Sequence, residues 1–331
     1  MSPGRAALGD VTVGAGLPVV VVGVLNLSPE SFHAGSVHTR SEDFLGAALA
    51  MVEAGAALID VGARSTAPYL DTEISEAEER DRLAWAVELL ARKVPVPISA
   101  DTARAASARA ALEAGARVIN DVSGLRDPAV AALVVKHHAS VILMSSPECG
   151  GSGGGGAGSS RSVPAASNAD VTAPWWSPAA TGRADAARVI ERPRSAPPGL
   201  PVDPVEHVKA LLGAAIERAR AAGIAEARIV VDPGIGFFRH EGMPWHEWDV
   251  RVLAELPALR ELGRPVCVGV SRKSFIGALT GRQRTEERLA GSLAATAIAV
   301  WNGAALIRTH DAAETLDAIR VAERLRGKAA P

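Results

Sequence analysis

Polar side chains recur at the ends of short apolar runs in this chain. Asn26 closes VVVVGVL, Asp60 sits within LIDVG, and Ser65 and Thr66 follow in ARSTAPY. Ser99, Asp101 and Thr102 fall in SADT, Asn120 and Asp121 close VIND, and Met144 closes VILM. Asp232 closes IVVD, with Phe237 in the PGIGF that follows. Ser271, Arg272 and Lys273 lie in GVSRKSF, and Arg308 precedes His310 by two positions. Two kinds of chemistry are implied. Asp101, Asn120 and Asp232 make an acceptor-rich set, suited to a planar heterocycle with amino and ring N–H groups or to an amidine. A buried carboxylate is tolerated only when its oxygens receive donors. Arg308 and His310, with Asn26, offer a guanidinium and an imidazole together, which suits phosphate or pyrophosphate. Ser271 and Lys273 are two apart, so on extended backbone they face one way and can lie between the two subsites. Each residue has a structural reading too: Asp101 as a helix cap, Asp232 as a turn former, Lys273 as a solvated lysine. Structure alone does not require such a residue at nearly every strand end.

Other chemistries are poorly supported. The chain has no HExxH and no clustered His/Cys set, and adjacent His137 and His138 read as a helix end. A magnesium ion fits better than a transition metal, carried mainly by substrate phosphates and one polar side chain. The Gly tract at 150–158 lacks a GK[ST] ending, and the Gly-x-Gly at 234–236 is no dinucleotide fingerprint, which argues against ATP or NAD. Cys267 reads as a small core residue, and Cys149 borders the Gly tract without a signal for activation.

The elements that must position these residues alternate. Apolar runs at 19–25, 57–61, 96–100, 117–120, 139–144, 228–232, 265–270 and 304–308 read as strands covered on both faces. Helical patterns lie near 41–54, 73–92, 103–114, 126–137, 203–222, 249–262, 285–301 and 311–326. This alternation predicts the α/β class and a (β/α)8 TIM barrel over 1–331, with an open doubly wound sheet as the alternative. In such a barrel the loops after the strands build the cleft, where the polar residues fall. A Gly/Ser/Pro-rich stretch at 146–202 interrupts the rhythm after the fifth strand and reads as a flexible insertion, with Trp175 and Trp176 inside it. Hydrophobic residues at 48% exclude wholesale disorder, and a formal charge of -2 gives no reason to expect a nucleic-acid partner. No apolar run is of membrane length, so a cytoplasmic protein is expected.

Several segments carry a family resemblance. They are GVLNLSPESFHAG at 23–35, AGAALIDVGARSTAP at 54–68 and ISADTARAASARAALEAGARVINDVSG at 98–124. VVDPGIGF at 230–237, PVCVGVSRKSFIG at 265–277 and GAALIRTHDAAETLDAI at 303–319 continue it. In this order the chain resembles dihydropteroate synthase, among the pterin-binding β/α barrels. The resemblance implies transfer of 6-hydroxymethyl-7,8-dihydropterin from its pyrophosphate to 4-aminobenzoate, an arylamine, by a homodimer. It implies pterin binding by Asp101, Asn120, Asp232 and Lys273, lined by Met144 and Phe237. It implies a pyrophosphate site at Asn26, Arg308 and His310, with Asp60 beside it and Asn26 helping to hold Mg2+. Ser65, Thr66 and Ser271 fall to the 4-aminobenzoate side. Lys273, Arg308, His310 and Asp101 are the residues expected to carry catalysis.

The pattern also departs. Ser28, Glu30 and Ala34 alter the first loop, and Arg64 and Ala67 alter the second, where Glu-Ser-Thr-Arg-Pro is expected. SSPE follows Met144 in place of His-Met-Arg/Gln-Gly, and Phe238 and Arg239 replace a Gly-Lys pair. The altered arylamine side leaves two alternatives open: a methyltransferase using a reduced folate, or a folate-binding barrel without catalysis.

Overall fold

The computed structural model describes residues 4–27, 37–63, 74–146, 202–238 and 243–327. An antiparallel hairpin comes first, β1 (Arg5–Leu8) and β2 (Val11–Gly14). The barrel follows as β3 (Val20–Asn26), α1 (Val37–Glu53), β4 (Ala56–Gly62), α2 (Glu76–Ala91), β5 (Ile98–Asp101) and α3 (Ala105–Ala114). Next come β6 (Val118–Asp121), α4 (Pro128–Lys136), β7 (Ser140–Met144), α5 (Pro204–Ala221), β8 (Ile229–Asp232) and α6 (Trp245–Ala254). The chain ends with β9 (Cys267–Gly269), α7 (Ser274–Thr280), α8 (Leu289–Trp301), β10 (Leu306–Thr309) and α9 (Ala312–Leu325). The parallel sheet has 8 strands in the order β8-β7-β6-β5-β4-β3-β10-β9. A Val231–Val266 bridge joins its ends and closes the (β/α)8 barrel. The insertion at 146–202, apart from Ser146 and Val202, lies outside the described residues.

The strand register sorts side chains into layers. Val22, Leu58, Val118, Ile142, Val230, Cys267 and Leu306 form one apolar cluster inside the barrel. A second cluster lies between the sheet and the helices, where Ile59, Ile98, Ile119, Val141, Val231 and Val268 meet Leu83, Leu212 and Trp248. Alternate positions on each strand point to opposite faces, so both faces of the sheet are apolar at mid-height.

Three elements differ from the expectation. The hairpin carries a signal, LGDV, in which Gly9 and Asp10 form a two-residue turn between apolar strands. Gly9 has φ 65°, a left-handed conformation that suits glycine. Ala6, Leu8 and Val13 are buried against the inner cluster, so the hairpin plugs the end of the barrel opposite the loops that follow its strands. Ser140 Oγ donates to the Ala7 carbonyl at 2.6 Å and ties the plug to β7. The expected helix at 249–262 instead starts at Trp245 and stops at Ala254, followed by a 3-10 turn over Leu256–Leu262. Pro257 cannot donate an amide and blocks the helical continuation. Finally, α7 follows directly upon Lys273.

Leu8 is fully buried in the plug, far along the chain from the polar strand ends. Leu8→Ala is expected to cost about 2–5 kcal/mol in urea denaturation. Below the unfolding transition its ligand affinity should match the parent. A stability change under about 0.5 kcal/mol, typical of surface sites, is the contrary result.

Candidate active site

The site is built by continuing the inner layer. Two positions beyond Leu58, Val118, Ile142, Val230, Cys267 and Leu306 stand Asp60, Asn120, Met144, Asp232, Gly269 and Arg308. Period-two alternation puts each on the same inward face, one layer higher. On β5 the inward positions are Ser99 and Asp101, since Ile98 and Ala100 belong to the outer cluster. An apolar floor therefore passes into a polar layer within one strand repeat.

Arg308 spans this layer. Its register neighbours are Val22 and Gly269, and the glycine leaves room for the guanidinium to lie across the barrel. Nη2 donates to Asp60 Oδ2 and, at 3.0 Å, to Asp101 Oδ2. Asn120 Nδ2 donates to the same Asp60 oxygen at 3.1 Å. Asp60 and Asn120 are buried. Burial opposes the charge of Arg308, but Asp60 and Asp101 outweigh it and hold its pKa above the ordinary arginine value. Asp101 does not cap α3, whose N-cap is Arg104 without a side-chain bond. Asp121 turns outward and accepts from the Ser123 amide and hydroxyl, both at 2.6 Å.

Asp232 and Lys273 form the second part. Asp232 Oδ1 accepts the Gly234 amide at 2.8 Å, so it serves the turn as well as facing the mouth. Burial raises its pKa, against the lowering influence of that amide, Lys273 and Arg308. Lys273 Nζ donates to the Ile235 carbonyl and lies 4.7 Å from the Phe237 ring centre, a cation–π distance. Burial lowers the Lys273 pKa to about 8, with Asp232 acting to raise it and Arg308 lowering it further. Met144 is buried opposite Asp232 in the β7–β8 register.

The third part is a polar edge. His310 Nδ1 lies 3.1 Å from Ser271 Oγ, and Nε2 lies 3.3 Å from Asn26 Nδ2. With the Asn26 amide nitrogen donating to Nε2, a neutral ring protonated on Nδ1 satisfies both contacts. The residue keeps an exposed edge, yet enclosure of the ring and then the Arg308 charge lower its pKa.

Ser271 and Lys273 do not point together as extended backbone suggests. Arg272 between them adopts φ 54°, which breaks the alternation and sends Ser271 toward His310 and Lys273 toward Asp232. This uncommon conformation is held on every side. The Arg272 amide donates to Ser292 Oγ at 2.8 Å, its carbonyl accepts from Arg288 at 3.1 Å, and its guanidinium makes a two-pronged pair with Asp311.

Ser65 and Thr66 lie outside the described residues, as do Ser28, Glu30, Ala34, Arg64, Ala67 and Arg239. The described edges of the 64–73 segment are tied down. Arg82 donates to the Ala63 carbonyl at 3.4 Å and Arg104 to the Ile74 carbonyl at 3.0 Å. Buried Glu79 pairs with Arg104 at 3.0 Å and accepts from Thr102 Oγ1, linking both edges to the end of β5. Sequence reading missed Glu79, Arg82 and Asp249, which lie on helices and are buried. Among the described residues no group of three His, Cys, Asp or Glu could hold a metal ion.

Asp60 and Asp101 share the Arg308 guanidinium, so removing it takes away the cation that bridges them. Arg308→Met is expected to lose about 3–5 kcal/mol in chemical denaturation. Adding Asp60→Asn should recover part of that loss. Full additivity of the two changes would show that the pair is not coupled.

The pattern of the pterin binding enzyme family matches residues 22–310. The chain is 30% identical to dihydropteroate synthase from Synechocystis sp., over 98% of this chain and 96% of the relative. A solved Xanthomonas albilineans dihydropteroate synthase with 4-aminobenzoic acid superposes with a TM-score of 0.74 and 32% identity, covering 100% of both chains. The Xanthomonas albilineans dihydropteroate synthase in complex with 7,8-dihydropteroate gives 0.71 and 31%, covering 99% of this chain and 100% of the other. With its inward acidic layer, half-buried lysine and strand-end histidine, the chain belongs to the dihydropteroate synthases of the pterin-binding enzyme family.

Proposed function

We propose that this chain transfers the 6-hydroxymethyl-7,8-dihydropterin group from its pyrophosphate to 4-aminobenzoate and releases pyrophosphate. The observation that carries the reading is the convergence of Asp101, Asn120, Asp232, Lys273 and Arg308 on one barrel mouth, beside the Asn26–His310–Ser271 edge. Related structures with 4-aminobenzoic acid and with 7,8-dihydropteroate support the same substrates.

In this reading Asp101 and Asp232 accept the amino and ring N–H groups of the pterin, and Asn120 adds a polar contact. Met144 and Phe237 pack against the ring. Lys273 supplies a donor from the opposite side. His310, Ser271 and Asn26 face the diphosphate, with Arg308 and Asp60 beneath it, while Ser65, Thr66 and Ser271 serve the arylamine. As the carbon–oxygen bond breaks, the electron pair leaves with the diphosphate and the pterin methylene becomes cationic. The arylamine nitrogen forms the new bond and gives up its proton. Fixed donors at the leaving group and fixed carboxylates at the ring need little reorganisation as charge separates. No side-chain nucleophile is required.

Magnesium is proposed to enter with the diphosphate. The Asn26 amide nitrogen faces His310, which leaves its oxygen as one neutral ligand, and the phosphates supply the rest. The metal's contribution is charge neutralisation on the leaving group. We also propose a homodimer: α8 and α9 pack together, and each exposes two large apolar side chains, Ile298 and Trp301 on α8 and Val321 and Leu325 on α9. Sedimentation at the monomer mass would reject it. No described helix is long and apolar enough to cross a membrane, and a cytoplasmic location, testable by cell fractionation, is proposed.

Incubation with the dihydropterin pyrophosphate and Mg2+ should release pyrophosphate and form dihydropteroate only when 4-aminobenzoate is present. Release independent of the amine, or methyl transfer from a reduced folate instead, contradicts the reading. The pH profile should show two limbs. Lys273 loses its charge as pH rises through about 8, so kcat/KM falls there, and Lys273→Met should abolish that limb. The acid limb should lie above the usual aspartate range because burial raises Asp232.

A further inference from the structure

The loop after β8 contains one peptide unit used from both ends. Its carbonyl, on Ile235, accepts from Lys273 Nζ. Its amide, on Gly236, donates to Asp249 Oδ1 at 2.8 Å. Asp249 belongs to the first half of α6 and is fully buried. Gly236 has φ 85°, and a side chain there would start 3.0 Å from Lys273 Cδ, so the lysine stem occupies the space that glycine leaves. The turn is closed by the Phe237 amide donating to the Gly234 carbonyl at 3.1 Å. Gly234 in turn presses on the Ser145 carbonyl, where an added Cβ would come to 2.3 Å.

We propose that Asp249 is a positioning residue for Lys273, acting through the Ile235–Gly236 peptide. A carboxylate accepting the amide polarises the peptide and strengthens its carbonyl as an acceptor, since hydrogen bonds in series reinforce one another. The same carboxylate orients the peptide plane, so the carbonyl meets Nζ only while the amide is held. The Ile235–Gly236 peptide stands between Asp249 and Lys273, and the Asp249 charge acts across it. The Lys273 ammonium also faces Asp232 from β8, Asp101 from β5, and Arg308 and His310 from β10 and its end. Asp249 is one of the groups acting to raise the Lys273 pKa, against the stronger effect of burial. The inference rests on the reading of Lys273 as a ligand-facing donor, but its test does not.

The test is lysine 13Cε NMR of the full chain without substrate. Asp249→Asn keeps an oxygen for the Gly236 amide and removes the charge. The Lys273 midpoint is expected to move down by about half a pH unit or more. Asp249→Leu removes both and should also collapse the kcat/KM for the pterin substrate. An unchanged Lys273 midpoint in Asp249→Asn overturns the proposal, whatever the enzyme turns out to transfer. If that variant does not fold, the wild-type Gly236 amide 15N shift gives the answer. It should inflect at the Lys273 midpoint, and a flat titration overturns the proposal equally. Failure of the synthase reading is seen separately, as a normal lysine response with no amine-dependent product.

Discussion

The barrel mouth depends on Arg308. Asp60 is fully buried, and Asp101 stands nearly so at the end of β5. Two carboxylates so placed repel one another and lose most of their hydration. One cation lies within hydrogen-bonding reach of both and offsets that repulsion. The guanidinium fits because it presents several donors in a rigid plane. It reaches the carboxylates because β10 places it over Gly269, with the apolar floor and hairpin plug below. The polar layer is thus supported by packing, and its Asp60–Asp101 pair is bridged by a single side chain, which makes a site residue a folding residue as well.

That balance shapes the chemistry. Asp60, Asp101 and Asp232 outnumber Arg308 and Lys273, and burial works to keep both Asp232 and Lys273 in their neutral forms. A pocket poised in this way gains most from a ligand that brings its own donors and becomes cationic during reaction. The other edge, with His310, Ser271 and Asn26, is neutral and offers hydrogen bonds. The two surfaces sit side by side because they come from opposite ends of the sheet order. A group that splits into a cationic ring and an anionic leaving part therefore meets a matching environment on each side.

Much of this was legible in the sequence because strand ends are punctuated. IVVDPG, VIND and ISADT each place a polar residue directly after an apolar run, and alternation then assigns it inward. The fold class followed from the same rhythm. What stayed hidden depends on backbone detail or on distant packing. Arg272 reads as an ordinary residue in an extended run, yet its left-handed φ redirects Ser271 and Lys273 apart. Arg308 looked like a phosphate clamp beside His310, whereas its Nη2 is engaged by carboxylates from β4 and β5, a contact no local spacing encodes. Asp249 and Glu79 were hidden for a similar reason: each lies on a helix where an acid ordinarily faces water.

The described departures from the family pattern are compensated by packing. Ser145, where a histidine is expected after Met144, donates its hydroxyl to the Pro233 carbonyl at 2.7 Å, and its amide donates to the Asp232 carbonyl at 2.9 Å. Phe238, where glycine is expected, is buried and stacks on Trp248 at 5.0 Å, with His207 edge-on to both rings. Neighbouring positions on α6 therefore perform two tasks for one loop. Trp248 receives Phe238, and Asp249 holds the Gly236 amide. A helix that fixes the loop at both points determines where the Ile235 carbonyl stands, and with it the Lys273 ammonium. The aromatic replacement thus leaves the Lys273 side of the mouth anchored by the helices behind the loop.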